Sequence, residues 1–477
     1  MGTQLPSTFM CNKKGYHWFV VATVCIGAFM AALDSSIVNI ALPVMKRDFH
    51  THMRIIEWVS LTYLLTLAAF IVPLSRLSDM FGRRWMYSFG FFVFIVGSFL
   101  CGFAPSLRVL FVARSLQAVG ASMLQANSVS IITASTPAND RGKAIGIQAS
   151  AQGIGLSLGP LIGGALITLL GWRWIFYVNV PVGVIGTILG ILMLPAGEEH
   201  KEHEKFDLFG SLILAPILVA VIYVLNVGEQ VGWAAPISIT CYGVIMFGLV
   251  GFVLIEGHVQ YPLIDLSLFR NRTFIYGNTV VTLSFAVMYG VMFLAPFYLD
   301  NVHKVSALNS GLFLMVIPIG MAVLTPISGI ITDKLDAKLS IVAGASIIVI
   351  GAVILSVFTE KYIAAVFAVG LFFIGCGMGM FTPANNSNVM ASVPHDRLSI
   401  GGGMLNMSRT LGMGLGVALG GLTYQLFLRT YGVVIENSAT VVQMIPAFRD
   451  SFIVLAVLTG VIVVLVSITS RQQGTTQ

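Results

Sequence analysis

The chain has 477 residues, of which 57% are hydrophobic and 10% charged, with a formal net charge of +6 and a mean hydropathy of +0.91. An ordinary soluble domain carries about 25% charged residues, so a soluble enzyme, a disordered chain, a fibrous repeat and a disulfide scaffold are all excluded. The runs are long and unbroken, unlike the alternating strands of about ten residues in an outer-membrane barrel, and they predict an all-α polytopic membrane protein.

Fourteen runs reach the roughly 20 apolar residues that a spanning helix needs. They lie at 17–45, 54–75, 85–104, 107–133, 143–170, 173–195, 208–227, 234–256, 273–299, 307–332, 339–358, 362–383, 400–428 and 450–470. The first is too long for a cleavable signal peptide and lacks a small-residue cleavage site. An even count puts both termini on one side. Of the 26 Lys and Arg, fifteen fall on that side, nine on the other, and Arg114 and Arg409 inside spans, so the termini are expected to be cytoplasmic. The charged run 198–207 reads as a solvated cytoplasmic linker. His200 and His203 there offer metal ligands, but carboxylate-rich linkers are ordinarily just solvated, and the five cysteines are scattered. No metal or cofactor is expected. The outward loop 429–449 has room for a small hairpin.

The chain also repeats itself. Ser75 to Arg84 after span 2 resembles Gly329 to Lys338 after span 10, each with a small residue, an Asp four positions on and a cation five beyond that. Gly155, Gly159 and Gly163 form a ladder in span 5, matched by Gly412, Gly416 and Gly420 in span 13. With spans 7 and 8 set aside, both pairs are offset by six helices, the mark of two halves with an insertion. The expected organisation is a six-helix bundle over 1–197, the linker 198–207, two inserted helices over 208–256, a second cytoplasmic linker over 257–272, and a six-helix bundle over 273–477.

Polar residues inside the spans are the candidates for chemistry. Asp34 lies near mid-membrane, where a carboxylate costs about 2.5–3.5 kcal/mol on insertion scales. It is expected to load and release a proton. The remaining acids fall in loops or at span ends. Arg114 in span 4 cannot lose its charge, so it must face a carboxylate, carbonyls or water. Gln117 is three residues on and shares its face. Gln125 and Asn127 read equally as cargo contacts or as polar glue between helices. Arg409, near Asn406 in span 13, reads as a partner for substrate or backbone. Of the aromatic and Met residues Trp58, Tyr63, Phe285, Met288, Tyr289, Met292, Phe293, Phe297 and Tyr298, those facing a central cavity would accept a flat lipophilic cation. Asp300 is either an extra acid at the outer mouth or surface charge. Walker, G-x-S-x-G and H-E-x-x-H motifs are absent, so neither ATP drive nor these hydrolase chemistries are expected.

With these marks the chain resembles the major facilitator superfamily, and most of all its fourteen-span branch of drug:proton antiporters. The resemblance rests on Leu33 to Pro43 in span 1, the loop 75–84, Arg114 to Gly120 in span 4, Gly155 to Gly164 in span 5, and Trp172 to Gly183. It implies two six-helix bundles plus two helices in the cytoplasmic (inner) membrane, working as a proton-coupled antiporter of small amphipathic, cationic compounds and not as an enzyme. Proton coupling is expected at Asp34 and Arg114. Cargo contacts are expected at Asp34, Asn39, Tyr63, Gln117, Gln125, Asn127, Phe285, Tyr289, Phe293, Asn406 and Arg409. Gating falls to a latch of Asp79, Gly82, Arg83 and Arg84 with its counterpart Asp333, and to a seal of Gly155, Gly159, Pro160, Gly163 and Gly164. Ser75 stands where the family prefers Gly, and Asp336 occupies the position matching Gly82, which predicts a weaker second latch. Expected partners are a small-molecule substrate, protons and lipid, with no nucleic acid. The chain is expected to act as a monomer, with a periplasmic adaptor if the host has an outer membrane. Two alternatives stay open: the same fold exporting one endogenous cargo (a lipid, siderophore or antibiotic), and a channel or receptor. The internal repeat and the single deep acid speak against the second.

Overall fold

The computed structural model describes residues 15–137, 140–195, 208–259, 265–334, 337–358, 364–394, 398–433 and 438–473. Among these the spans become fourteen long helices: α1 (Tyr16–Asp48), α2 (Trp58–Phe81), α3 (Arg83–Phe103), α4 (Leu107–Ser135), α5 (Arg141–Leu170), α6 (Asn179–Met193), α7 (Leu208–Val231), α8 (Pro236–Glu256), α9 (Arg272–Asn301), α10 (Ala307–Lys334), α11 (Ala337–Phe358), α12 (Ala364–Ala391), α13 (Leu398–Thr430) and α14 (Val441–Gln473). One-turn helices, Met53–Ile56 and Trp174–Tyr177, lead into α2 and α6. Thirteen spans are long and apolar enough to cross a membrane, and α7 adds the shorter apolar stretch Ile213–Leu225. The charged linker 198–207, with His200 and His203, lies outside the described residues, as does Asp336.

Local chemistry sets the breaks. Gly82 takes φ +93°, a left-handed turn that lets α2 reverse into α3, and Gly171 at φ +94° closes α5. The Asn271 side chain accepts the Thr273 N–H at 2.9 Å and caps α9. Helix α14 starts nine residues before the expected span, at Val441, and this shortens the outward loop. The early start carries the Arg449–Asp450 pair (2.8 Å) to Tyr431, whose hydroxyl donates to Asp450 at 2.6 Å.

Each half is built around the same contact. The α5 ladder lies on α1: a Cβ on Gly155 would strike the Phe29 carbonyl and lie 3.1 Å from Leu33 N, and one on Gly163 would lie 2.7 Å from Ile40. The α13 ladder lies on α9, where a Cβ on Gly412 would strike the Thr282 carbonyl and one on Gly416 would lie 2.8 Å from Gly290 N. Small residues every four positions permit this approach of backbones. The inserted pair sits outside: α7 rests on α2 and α13, while α8 rests on α7 and exposes Phe247, Ile239 and Leu254 outward as lipid-facing surface.

The halves meet at one end and part at the other. On α10, Gly311 and Gly329 are 18 residues apart, about five full turns, and so share a face. A Cβ on Gly311 would strike the Pro160 carbonyl of α5, whereas one on Gly329 meets nothing within 4 Å. Helix α5 mirrors this: Gly164 abuts Ala307, while Gly153 and Gly146 face open space. The second seam, α2 on α13, opens in the same direction. A Cβ on Gly421 would strike the Glu57 carboxylate, one on Gly414 would stand 3.8 Å from the Leu64 Cβ, and one on Gly403 would meet nothing within 4 Å. The molecule is closed at the end bearing Arg47 and Asp300 and open at the end bearing the Gly82 turn.

Candidate functional site

The deep acid and the deep cation of the first half are one unit. Arg114 Nη1 donates to Asp34 Oδ2 at 2.6 Å and to Gln117 Oε1 at 2.7 Å, and Arg114 Nε donates to the Val59 carbonyl at 3.1 Å. The guanidinium lies 4.2 Å over the Tyr63 ring. The other carboxylate oxygen accepts from Gln117 Nε2 (2.8 Å) and Asn179 Nδ2 (3.0 Å). Ser98 accepts from both amides, at 2.9 and 3.1 Å, and donates to the Phe176 carbonyl. Asp34 is 0% exposed and Arg114 1%. Five helices (α1, α2, α3, α4 and α6) therefore converge on a buried ion pair that faces the interior of its own bundle. A buried charge is tolerable only when paired and hydrogen-bonded, and this one is.

Two neighbours link this unit to its surroundings. Asn39 accepts from Ser60 at 3.1 Å within the half. Ser35, one residue from Asp34, shares a 3.3 Å hydrogen bond with Tyr289 of α9, a contact between the halves.

A second contact between the halves surrounds Arg409 in α13. Its Nη1 donates to Gln152 Oε1 of α5 at a long 3.4 Å, and the guanidinium lies 5.3 Å over the Phe285 ring. Its Nε is buried and has no hydrogen-bond partner among the described residues. Arg409, Gln152, Asn406 and Gln125 are all partly exposed.

The remaining expected cargo residues are placed less suggestively. Asn127 donates to the Met123 carbonyl of its own helix at 2.7 Å. Phe293 is fully buried, packing on Phe297 and beside Gly420.

In the expected latch, Arg83 donates to the Ser130 carbonyl and Arg84 to the Ile191 carbonyl, both within the first half. The side chains of Asp79 and Asp333 lie outside the described residues. At the closed end, Arg47 of α1 pairs with Asp300 of α9 across a cleft of about 390 Å³ that also includes Pro43, Thr168, Lys304 and Ser310. Burial lowers the pKa of nearby His303 from its ordinary 6.5, and its ring is hydrogen-bonded to Tyr298 at 2.9 Å.

Sequence reasoning missed Ser98, Asn179, Gln152, Glu57 and Arg47. Asn179 was findable as an amide inside an apolar run. Glu57, 1% exposed at the mouth of α2, looked like an ordinary acid at a span end.

The model of the family described as Major Facilitator Superfamily matches residues 24–417. The riboflavin transporter RibZ of Clostridioides difficile is 36% identical over 84% of this chain and 87% of its own length. The multidrug resistance protein Stp of Mycobacterium tuberculosis is 32% identical over 83% of this chain and 73% of its own. A bacterial homologue of the human lysosomal transporter Spinster, solved in an inward-facing and unoccupied conformation, superposes with a TM-score of 0.70 at 17% identity, covering 96% of this chain and 98% of that one.

Proposed function

This chain belongs to the major facilitator superfamily, and we propose that it is a proton-coupled exporter of small amphipathic compounds. It works as a monomer in the cytoplasmic membrane with both termini inside, so the open end faces the cytoplasm and the structure is inward-facing. The two bundles rock about a central site to give alternating access.

The observation that carries this reading is the buried Asp34–Arg114 pair. A proton arriving on Asp34 removes the charge that Arg114 faces, and the guanidinium must then lean on Gln117 and the Val59 carbonyl. Helix α1 holds Asp34, the ladder contact with α5 and the Ser35–Tyr289 link to α9, so a shift at the acid is passed to the seam between the halves. Each pH unit across the membrane supplies about 1.4 kcal/mol per proton, and the potential about 2.3 kcal/mol per charge per 100 mV. The latch of Asp79, Gly82, Arg83 and Arg84, with Asp333 in the second half, holds the inner ends together in the outward-open state. The Gly155–Gly164 seal prevents leak.

The name of the riboflavin-transporting relative favours a second reading, one dedicated cargo in place of a panel. Proteoliposomes with an imposed pH gradient test the main reading. Protein-dependent dye transport that follows the gradient and is lost in Asp34→Asn supports it, and transport indifferent to the gradient rejects it.

A further inference from the structure

The cation expected from the sequence as cargo would need an acid that it can reach. Asp34 offers none, because both its oxygens are occupied and it is fully buried. A charge between the halves that lies toward the open end is Arg409, which has the opposite sign.

A guanidinium carries five donors in a fork that fits a carboxylate or enolate oxygen pair. Arg409 uses one of them, on the uncharged Gln152 oxygen at 3.4 Å, and its buried Nε has no partner. No carboxylate among the described residues pairs with it. Holding a bare cation inside a membrane span is costly, a cost that an anionic ligand would relieve. Phe285 packs under the guanidinium, 5.3 Å away, and like Tyr289 it is buried, so these rings back the site while Arg409 itself stays partly exposed. Gly402 and Gly403 of the same helix, and Gly153 beside Gln152, border open space toward the open end, which gives a route in. Three helices, α5, α9 and α13, bring these groups together from both halves, so a ligand seated there touches the two bodies that must move.

Building on the exporter reading above, we propose that Arg409 and Gln152, backed by Phe285 and Tyr289, form the cargo site, and that the cargo is an organic anion. Its negative oxygen takes the free Arg409 donors, displacing the Gln152 contact. Export of such a cargo in exchange for an entering proton removes negative charge from the cell interior and brings positive charge in, so the membrane potential, negative inside, assists it.

The test is fluorescence anisotropy on the purified full-length protein with two xanthene dyes of opposite charge, anionic fluorescein and cationic tetramethylrosamine. Fluorescein should bind at least about tenfold more tightly, the equivalent of ~1.4 kcal/mol. Arg409→Gln should weaken fluorescein by about tenfold or more and leave tetramethylrosamine nearly unchanged. Gln152→Glu, which keeps the side chain's shape and sets an acid against Arg409, should weaken fluorescein and strengthen tetramethylrosamine. This variant and the wild-type preference decide the matter even if Arg409→Gln fails to fold. Tighter binding of tetramethylrosamine to the wild type, no fluorescein binding, or a fluorescein affinity unmoved by both variants overturns the proposal. The same dyes in proteoliposomes separate the two readings. Gradient-driven transport of tetramethylrosamine but not fluorescein keeps the exporter and sinks the anion site. The binding preference without gradient-driven transport keeps the site and sinks the exporter.

Discussion

Arg114 and Arg409 are both guanidiniums inside membrane-spanning helices, and their surroundings could hardly differ more. Arg114 faces a carboxylate, an amide, a carbonyl and an aromatic ring, all within one bundle. Arg409 has one long bond to an amide of the opposite bundle and a ring beneath it. The first environment is complete. The second is incomplete and lies on the seam. Charge in a membrane interior thus takes two forms here, one fully paired within a bundle and one left short of partners on the seam.

The largest effects should come from the helix packing that holds these two regions apart. Gly159→Leu puts a side chain into Ser36 and the Ile37 backbone of α1, and should abolish both assembled protein and transport. Gly153→Leu, on the same helix but facing open space, should fold normally yet slow transport about tenfold or more, because a well-packed outward-open state has no room for it. Size-exclusion profiles and dye flux read the two outcomes, and equal yields for both variants would break the picture of a closed and an open end.

Next in size is the contrast between the arginines themselves. Asp34→Ala strands Arg114 and should lower stability by about 3–5 kcal/mol, whereas Arg409→Ala should cost less than about 1 kcal/mol, since it gives up a single weak bond. Thermal unfolding in detergent compares them, and similar losses would erase the distinction. Smaller still is the closed end. Arg47 and Asp300 pair across the seam with the Arg47 side chain 59% exposed, so Arg47→Ala should shift the balance toward outward-open by only about 0.2–1 kcal/mol. Distance measurements between spin labels on 168 and 308 would show a modest rise in the separated population.

The smallest effect belongs to His303. Burial lowers its pKa from 6.5, so the folded state prefers the neutral ring. Its contribution is full above pH 6.5 and is lost as the pH falls through the lowered value. A slight fall in melting temperature on acidification should disappear in His303→Phe.

The helices were readable because a run of apolar residues has few other fates at this length, and the repeat was readable because its glycines recur in register. Asp34, Arg114 and Gln117 stood out for the same physical reason: a polar group in a span must have a partner. Their completion by Ser98 and Asn179 needed α3 and α6 brought alongside, which a linear pattern does not state. Gln152 and Glu57 were harder, because each meets the opposite bundle, and that meeting depends on how far the halves are tilted. Phe293 and Asn127 show the reverse difficulty. They had the right chemistry for a cargo site, but the structure turns one into helix packing and the other back onto its own helix.

The division of labour between the two arginines is tested most directly by fluorescein affinity as a function of pH, in wild type and in Asp34→Asn. If the proton acts at Asp34 and the cargo at Arg409, wild-type affinity varies with pH through the coupling of the two sites. The Asp34→Asn variant then keeps a comparable affinity that no longer responds to pH over the range where fluorescein's own charge is constant. Loss of binding at every pH would place the cargo on Asp34, and an unchanged pH response would take the proton away from it.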